Sequence, residues 1–472
     1  MLLSLAPILL LVALLSTSVA LFGSDASYGP NQVALVVAAG ATMLVGWRRG
    51  MSWQQIQDGM VGAITVSIMP MMILLSVGAL IGSWIISGTV PGMIFYGLQL
   101  LNPDIFYAAS AVICALASLS LGSSWTVAGT LGIGLMGIAT TYGLSPAITA
   151  GAIISGAYFG DKLSPLSDTT NLAAAAVGVD LFEHIKNMLW TTLPAFALAL
   201  LFFAIIGSEG AAAPDDITRI RAALSDQFAI TPWVLSPLVL MLAMIYFKIP
   251  AYPAILLCTL CGAAYGAVFQ PEVVRTMALT AHPESPAPLL QGVWMALFSG
   301  YQSPAGMDQL SQLLDKGGLA SMLNTIFLIL TAMTFGGLLD STGILRQLLD
   351  LVLKGVKRTG DLILATVGSG IITNILAADQ FLAITLPGRL FISAYDDRGL
   401  SRLSLSRTLE DSATLTSVLV PWNTCGAFMA ATLGVATFTY APYALFNLIC
   451  PVLAVLFGYL MIAQPQQTAV SS

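Results

Sequence analysis

The sequence predicts an all-α polytopic membrane protein: two inverted-topology repeats with discontinuous helices and re-entrant hairpins, about 11–13 membrane segments in all. Three observations lead there. Only 8% of the 472 residues are charged and 57% are hydrophobic, with a mean hydropathy of +0.88, whereas a soluble domain carries roughly 25% charged residues. Apolar runs of about 20 residues, the length that crosses a hydrocarbon core, fill nearly the whole chain and leave no room for a sizeable soluble domain. Inside that apolar sequence sits one polar stretch, Gly160–Asn171, reading GDKLSPLSDTTN.

This stretch holds two carboxylates (Asp161, Asp168), Lys162, the oxygen-bearing side chains Ser164, Ser167, Thr169, Thr170 and Asn171, and the helix breaker Pro165. Lipid cannot surround such a segment, because unsatisfied backbone and charge at membrane depth cost several kcal/mol. A broken helix lining an ion or substrate cavity accounts for it. The chain therefore reads as an ion-coupled secondary transporter organised about that break.

Taken in order, the first span is Met1–Phe22, which lacks the basic start of a signal peptide and so reads as a retained helix. A second span, Gln32–Trp47, stops at Arg48 and Arg49. Trp53–Asp58 reads as interfacial. Spans follow at Gly62–Ile86 (containing Pro70), Val90–Leu101, Pro103–Ser120, the Gly- and Thr-rich Ser123–Thr140, Ser145–Phe159 and Met188–Gly207. Residues 1–208 form the first repeat, 209–230 an amphipathic polar linker and 231–472 the second repeat. The linker carries Asp215, Asp216, Arg219, Arg221 and Asp226. In the second half Pro232–Tyr246 and Tyr252–Phe269 precede a polar loop, Gln270–Ala287. Further segments lie near Leu289–Ser299, Ala320–Leu338, Ile344–Val356, Leu362–Ala377, Phe381–Ser393, Ser412–Leu419, Phe428–Tyr440 and Tyr443–Ala463. The five cysteines all fall in apolar runs, so Cys258 and Cys261, although spaced as CxxC, read as packing residues rather than a redox or zinc pair.

The duplication rests on spacing. A shift of 256 lays Leu163, Pro165, Ala174, Ala175, Gly178 and Val179 on Leu419, Pro421, Ala430, Ala431, Gly434 and Val435, and Gly132 on Gly388. A shift of 258 lays Gly78, Leu80 and Ser83 on Gly336, Leu338 and Ser341. Positive charge then suggests the relative orientation. Lys354, Lys357, Arg358, Arg398, Arg402 and Arg407 occupy connections whose first-half counterparts have no Lys or Arg, while Arg48 and Arg49 face a counterpart holding only Arg275 and two acids. Basic residues mark the cytoplasmic side, so equivalent loops face opposite sides and the N-terminus lies in the cytoplasm. In such inverted repeats the site forms near the midplane, at discontinuous helices.

The counterpart of the first break is SVLVPWNT, Ser417–Thr424, polar after its proline (Trp422, Asn423, Thr424) but without a carboxylate. A hard monovalent cation takes oxygen ligands from carboxylate, hydroxyl and amide groups, as calcium and magnesium do. Asp168, Thr169 and Asn171 supply those types within four residues and are the expected Na+ ligands, with Asp161 and Ser164 beside them. Upstream of the breaks stand Ser123, Ser124 and Thr126 in the first half, and Asn374 with Asp379 and Gln380 in the second. Glu410 and Asp411 precede the second break. Each has a plainer reading. Asp161 and Lys162 suit a structural ion pair, Glu410 or Asp411 an interfacial cap, Asp340 a helix cap, Glu183 and His184 the membrane interface, and GSSWT a small-residue packing face.

These motifs resemble the hallmarks of the NhaC family of Na+/H+ antiporters: GAYFGDKLSPLSDTTNLA with His184-Ile185 and Thr191-Thr192-Leu193-Pro194, LGSSWT, FGGLLDSTG, NILAADQ with LPGRLF, and LEDSATLTSVLVPWNTCGAFMAATLGV. The matches run over roughly residues 60 to 440 and the two broken-helix motifs are the most specific of them. The resemblance implies a multi-pass protein of the bacterial inner membrane with the ion-transporter-superfamily fold, a homodimer with separate scaffold and moving domains. It also departs from the family in having Asp340 where glutamate is frequent, and TVAGT after Trp125.

The leading expectation is exchange of Na+ (or Li+) for H+, the two competing for buried carboxylates, with Asp168 foremost and Asp379 or Asp411 as second acid. The transported ions are the only small partners this requires, and no cofactor is implied. The rival is Na+- or H+-coupled transport of an amino acid or small carboxylate, with Trp422, Asn423 and Thr424 lining the organic pocket. An enzyme is disfavoured by the lack of HExxH, GxSxG or a phosphate loop and by the presence of only two histidines. A channel is disfavoured by the paired breaks. No basic tract suggests nucleic acid.

Overall fold

A computed structural model describes residues 2–207, 214–303, 311 and 313–462. These residues fold as helices joined by short turns, with no β-strand among them. Eight helices are long and apolar enough to cross a membrane, or up to ten if each of two bent pairs counts as one span. The 11–13 segments expected from sequence include the halves of broken spans as separate pieces.

Several helices run past the expected limits. Trp53–Asp58 is not a separate interfacial segment but the start of a 34-residue helix, Trp53–Ile86, capped by Ser52 and continuous through Pro70. At 1.5 Å per residue it is about 51 Å long. The loop Gln270–Ala287 contains a helix, Pro271–Ala281, that starts on a proline and buries Val273, Val274, Met277 and Ala278. In the linker, 209–213 lie outside the described residues, and Pro214–Gln227 is helical as anticipated. The segment expected at Ser412–Leu419 begins ten residues earlier, at Arg402, and passes through a π turn at Glu410–Thr414 before ending at Ser417.

Helix boundaries recur at the 256-residue spacing. The helices Phe106–Leu121 and Thr359–Ala377 both end on a left-handed residue, Gly122 (φ 67°) and Ala378 (φ 59°). The next residues, Ser123 and Asp379, cap the following helix by accepting from Thr126 N–H and Leu382 N–H. Ser145 and Ser401 cap the first arm of each broken span, Pro146–Leu163 and Arg402–Ser417. Ser167 and Asn423 cap the second arms, Asp168–Val177 and Thr424–Leu433, which end on Gly178 (φ 72°) and Gly434 (φ 70°). A short polar side chain at an N-cap satisfies an otherwise orphaned amide, and a left-handed residue at the far end closes the last turn. The same punctuation therefore builds the same parts twice.

The packing is reciprocal as well. Helix Asp168–Val177 lies against Gln380–Asp396, and Thr424–Leu433 against the turn Ala128–Gly132. A Cβ on Gly132 would meet Leu433 Cδ2 at 3.1 Å, and one on Gly388 would meet Val177 Cγ1 at 3.8 Å. Both glycine–aliphatic pairs are related by the shift of 256.

Candidate ion site

Pro165 dictates the first break. The residue before a proline is driven out of the helical region, and Ser164 takes φ −84°, ψ 129°. The chain turns, and Ser167 restarts the helix with Asp168 as its first residue. Asn171 holds the turn closed, donating from Nδ2 to Pro165 O (2.9 Å) and Ser167 O (2.8 Å). Ser164 Oγ accepts from Leu166 N–H (3.3 Å) and Thr170 Oγ1 donates to Lys162 O (3.0 Å). Ser164 and Asn171 thus shape the turn.

Beside it is a cavity of about 300 Å3 lined by Gly122–Thr126, Asp161, Ser167–Thr169, Gln380 and Phe381, with Met69, Pro70 and Ile73 as an apolar wall. The structure brings Ser123, Ser124, Thr126, Asp161, Asp168 and Thr169 together here. Asp161 is buried, and its Oδ2 accepts from the N–H (3.0 Å) and Oγ (2.7 Å) of Ser124. Asp168 is exposed to the cavity and makes no hydrogen bond to the described residues. Thr169 Oγ1 lies 3.1 Å from Ser167 Oγ. Trp125 stacks on Phe428, with centroids 4.1 Å apart and planes at 13°, joining this loop to the arm after the second break. Among the described residues two acids line the cavity, and neither lysine nor arginine does.

Lys162 corrects one expectation. It does not pair with Asp161; it forms a fully buried ion pair with Asp411. The same Asp411 Oδ1 accepts from Thr191 Oγ1 (3.0 Å) and Cys450 Sγ (3.3 Å).

Comparison with known proteins gives the family. The Na+/H+ antiporter family model matches residues 156–462. A Na+/H+ antiporter NhaC of Alkalihalophilus pseudofirmus is 38% identical over 451 residues, covering 94% of this chain and 92% of that one. The chain belongs to the NhaC family of Na+/H+ antiporters. Another NhaC antiporter, from Bacillus subtilis, is 36% identical over 415 residues, covering 87% of this chain and 88% of its own. A malate-2H+/Na+-lactate antiporter of the same organism is 35% identical over 433 residues, with coverages of 91% and 89%. This NhaC-family chain is a multi-pass membrane transporter, not an enzyme.

The remaining candidates lie outside the first cavity. Asn374 Nδ2 donates to Ala413 O (2.6 Å) and Thr416 Oγ1 (3.0 Å), and Asn374 Oδ1 accepts from Asn423 Nδ2 (3.1 Å). Trp422 Nε1 donates to Ile375 O (2.7 Å), and Thr424 N–H to Ala378 O (3.0 Å). In this NhaC-family structure the second break is internally bonded by these contacts. Asp379 caps its helix and lines a neighbouring cavity of about 390 Å3 together with Asp58 and Asp340. Val66 and Phe381 line both cavities. Asp340 is no cap: it stands in the last turn of Leu323–Ser341. His184 is fully buried. Glu410 is fully buried too.

Gln380, expected with Asn374 and Asp379 upstream of the second break, lines this cavity, while cavity-lining Phe381 and Ala251 are absent from the expected set. Phe381 and Ala251 carry no polar signal and are recognisable only once the chain is folded.

Proposed function

We propose that this protein exchanges Na+, or Li+, for H+ across the bacterial inner membrane, binding the cation at Asp168 and Thr169 with the Ser123–Thr126 loop. One observation carries the reading: among the described residues, Asp168 presents an unbonded carboxylate to a cavity whose other polar groups are mainly oxygen-bearing and whose lining holds no cationic side chain. Asp161 anchors Ser124 and thereby fixes the loop that completes the shell. Asp168 sits on the first turn of a helix, where the positive end of the dipole offsets part of its charge. That offset weakens its hold on a cation and favours release on the far side.

The halves 1–208 and 231–472 are taken as inverted repeats about the 209–230 linker, with the N-terminus in the cytoplasm and the chain assembled as a homodimer. The recurrence of caps at a shift of 256 supports the repeat, and the distribution of basic residues supports its inversion. Transport of a small carboxylate, as in the name of the malate/lactate relative, is the second reading. The lack of a lysine or arginine on the cavity wall favours the cation, since an organic acid held there would have no cationic partner.

Proteoliposomes with a preset pH gradient test the proposal. Adding Na+ or Li+ dissipates the gradient, while malate and amino acids do not. A gradient that responds to malate and not to Na+ overturns the reading.

A further inference from the structure

We infer that the exchanged proton is held on Glu410, in a compartment separate from the cation cavity, so that sodium at Asp168 and hydrogen ion at Glu410 exclude each other by charge rather than by sharing one carboxylate. The inference rests on the Na+/H+ reading above.

Glu410 opens the π turn, a local widening frequent at functional sites. Its side chain is fully buried, and neither carboxylate oxygen has a hydrogen-bond partner among the described residues. An ionised carboxylate without a donor on either oxygen is far more costly to bury than the neutral acid. Glu410 therefore carries its proton in this conformation.

Its surroundings supply both the coupling and the exit. From the first broken span, Asp161 and Lys162 lie within Coulombic reach, and Asp411 follows in sequence. From Leu445–Tyr459, Cys450 Sγ touches the Lys162–Asp411 pair. One turn before Glu410, buried Arg407 donates to Asn187 Oδ1 (3.3 Å). From Gln380–Asp396, Tyr395 is bonded to Thr366. From Leu181–Ile206 comes His184, buried, within Coulombic reach of Lys162, and with neither ring nitrogen bonded to a described residue. Asn187, one turn after His184, donates to Leu403 O (2.8 Å) beside the partly exposed Arg402–Asp396 pair. Between that surface and the cavity wall stand Asn187, His184, the Lys162–Asp411 pair, Glu410 and Asp161, with Lys162 within Coulombic reach of both His184 and Glu410 and Asp161 within that of Glu410; we take this series as the proton's route.

Asp161 is the shared boundary: it lies within Coulombic reach of both Asp168 and Glu410. A cation arriving at Asp168 repels the proton on Glu410. The proton leaves along that route, and the carboxylate left behind is balanced by Lys162. Net charge in the enclosed region is then the same with either ion, which suits a carrier that must move in both forms.

Two fluxes separate the sites: sodium-driven proton movement, and radiolabelled-sodium counterflow, which needs no proton. In proteoliposomes Glu410→Gln loses proton movement by on the order of a hundredfold while counterflow persists and becomes independent of pH. His184→Gln slows proton movement and displaces its pH profile, again with counterflow intact. Asp168→Asn loses both. A Glu410→Gln protein that still moves protons like wild type overturns the inference, as does one that melts like wild type yet loses both fluxes. Should Glu410→Gln not fold, Glu410→Asp decides: counterflow with a displaced pH profile supports the proton site, and an unchanged profile refutes it. Wild-type protein that shows no sodium-driven proton movement refutes the underlying exchange reading instead.

Discussion

Lys162 and Asp411, 249 residues apart in sequence, meet as an ion pair with no solvent exposure and join the first broken span to the π turn before the second break. Removing one member leaves the other charge buried and alone, which costs about 3–5 kcal/mol. Lys162→Met and Asp411→Asn each lower the melting temperature in detergent sharply. The double variant Lys162→Met/Asp411→Asn removes both charges and loses less than the two singles add up to, a non-additivity read directly from a double-mutant cycle.

Asp168→Asn keeps the shape of the turn, since no described residue bonds to that carboxylate. The protein inserts, purifies and melts like wild type, yet sodium-dependent proton movement in vesicles is abolished. Retained exchange would remove Asp168 from the mechanism.

Ser124→Ala removes the 2.7 Å hydrogen bond to Asp161 and leaves the backbone one. A hydrogen bond to a charged group contributes about 1.5–3 kcal/mol, so the apparent affinity for Na+ falls roughly tenfold or more while the maximal rate changes less. Titrating exchange rate against Na+ concentration checks the split.

Two glycines with nearly the same backbone angle separate strain from collision. Gly178 (φ 72°) has nothing within 4 Å of where a Cβ would stand, whereas a Cβ on Gly122 (φ 67°) would meet Leu166 Cβ at 2.6 Å. Gly178→Ala costs about 1 kcal/mol of left-handed strain and leaves transport intact; the counterpart of Gly122 is already an alanine, Ala378. Gly122→Ala costs more and also weakens Na+ binding, because Leu166 belongs to the turn that positions Asp168. Thermal melts and transport assays on the pair distinguish the two effects.

What could be read from the sequence follows the range of the forces involved. The first break was legible because Pro165, Ser167 and Gly178 act on their own neighbours. Composition made Asp168 conspicuous. The partner of Lys162 was not legible: Asp161 adjoins it in sequence, but consecutive helical residues point to different faces, and the true partner lies in the other half. Glu183 and His184 were expected just before a helix, whereas both lie in the first turn of Leu181–Ile206, where one turn spans surface and core. The helix Pro271–Ala281 was hidden by its polar composition, although Pro271 at its start and the spacing Val273, Val274, Met277, Ala278 are helical signals.

The matching caps at Ser123 and Asp379, Ser145 and Ser401, Ser167 and Asn423 have a practical corollary. Under the inverted arrangement proposed above, each half is a template for the posture of the other, and threading 106–206 onto 362–462, and the reverse, would draft the opposite-facing conformer. Cysteine pairs that are close in the draft and distant here would trap that conformer, making the second state of the cycle an object for cross-linking chemistry.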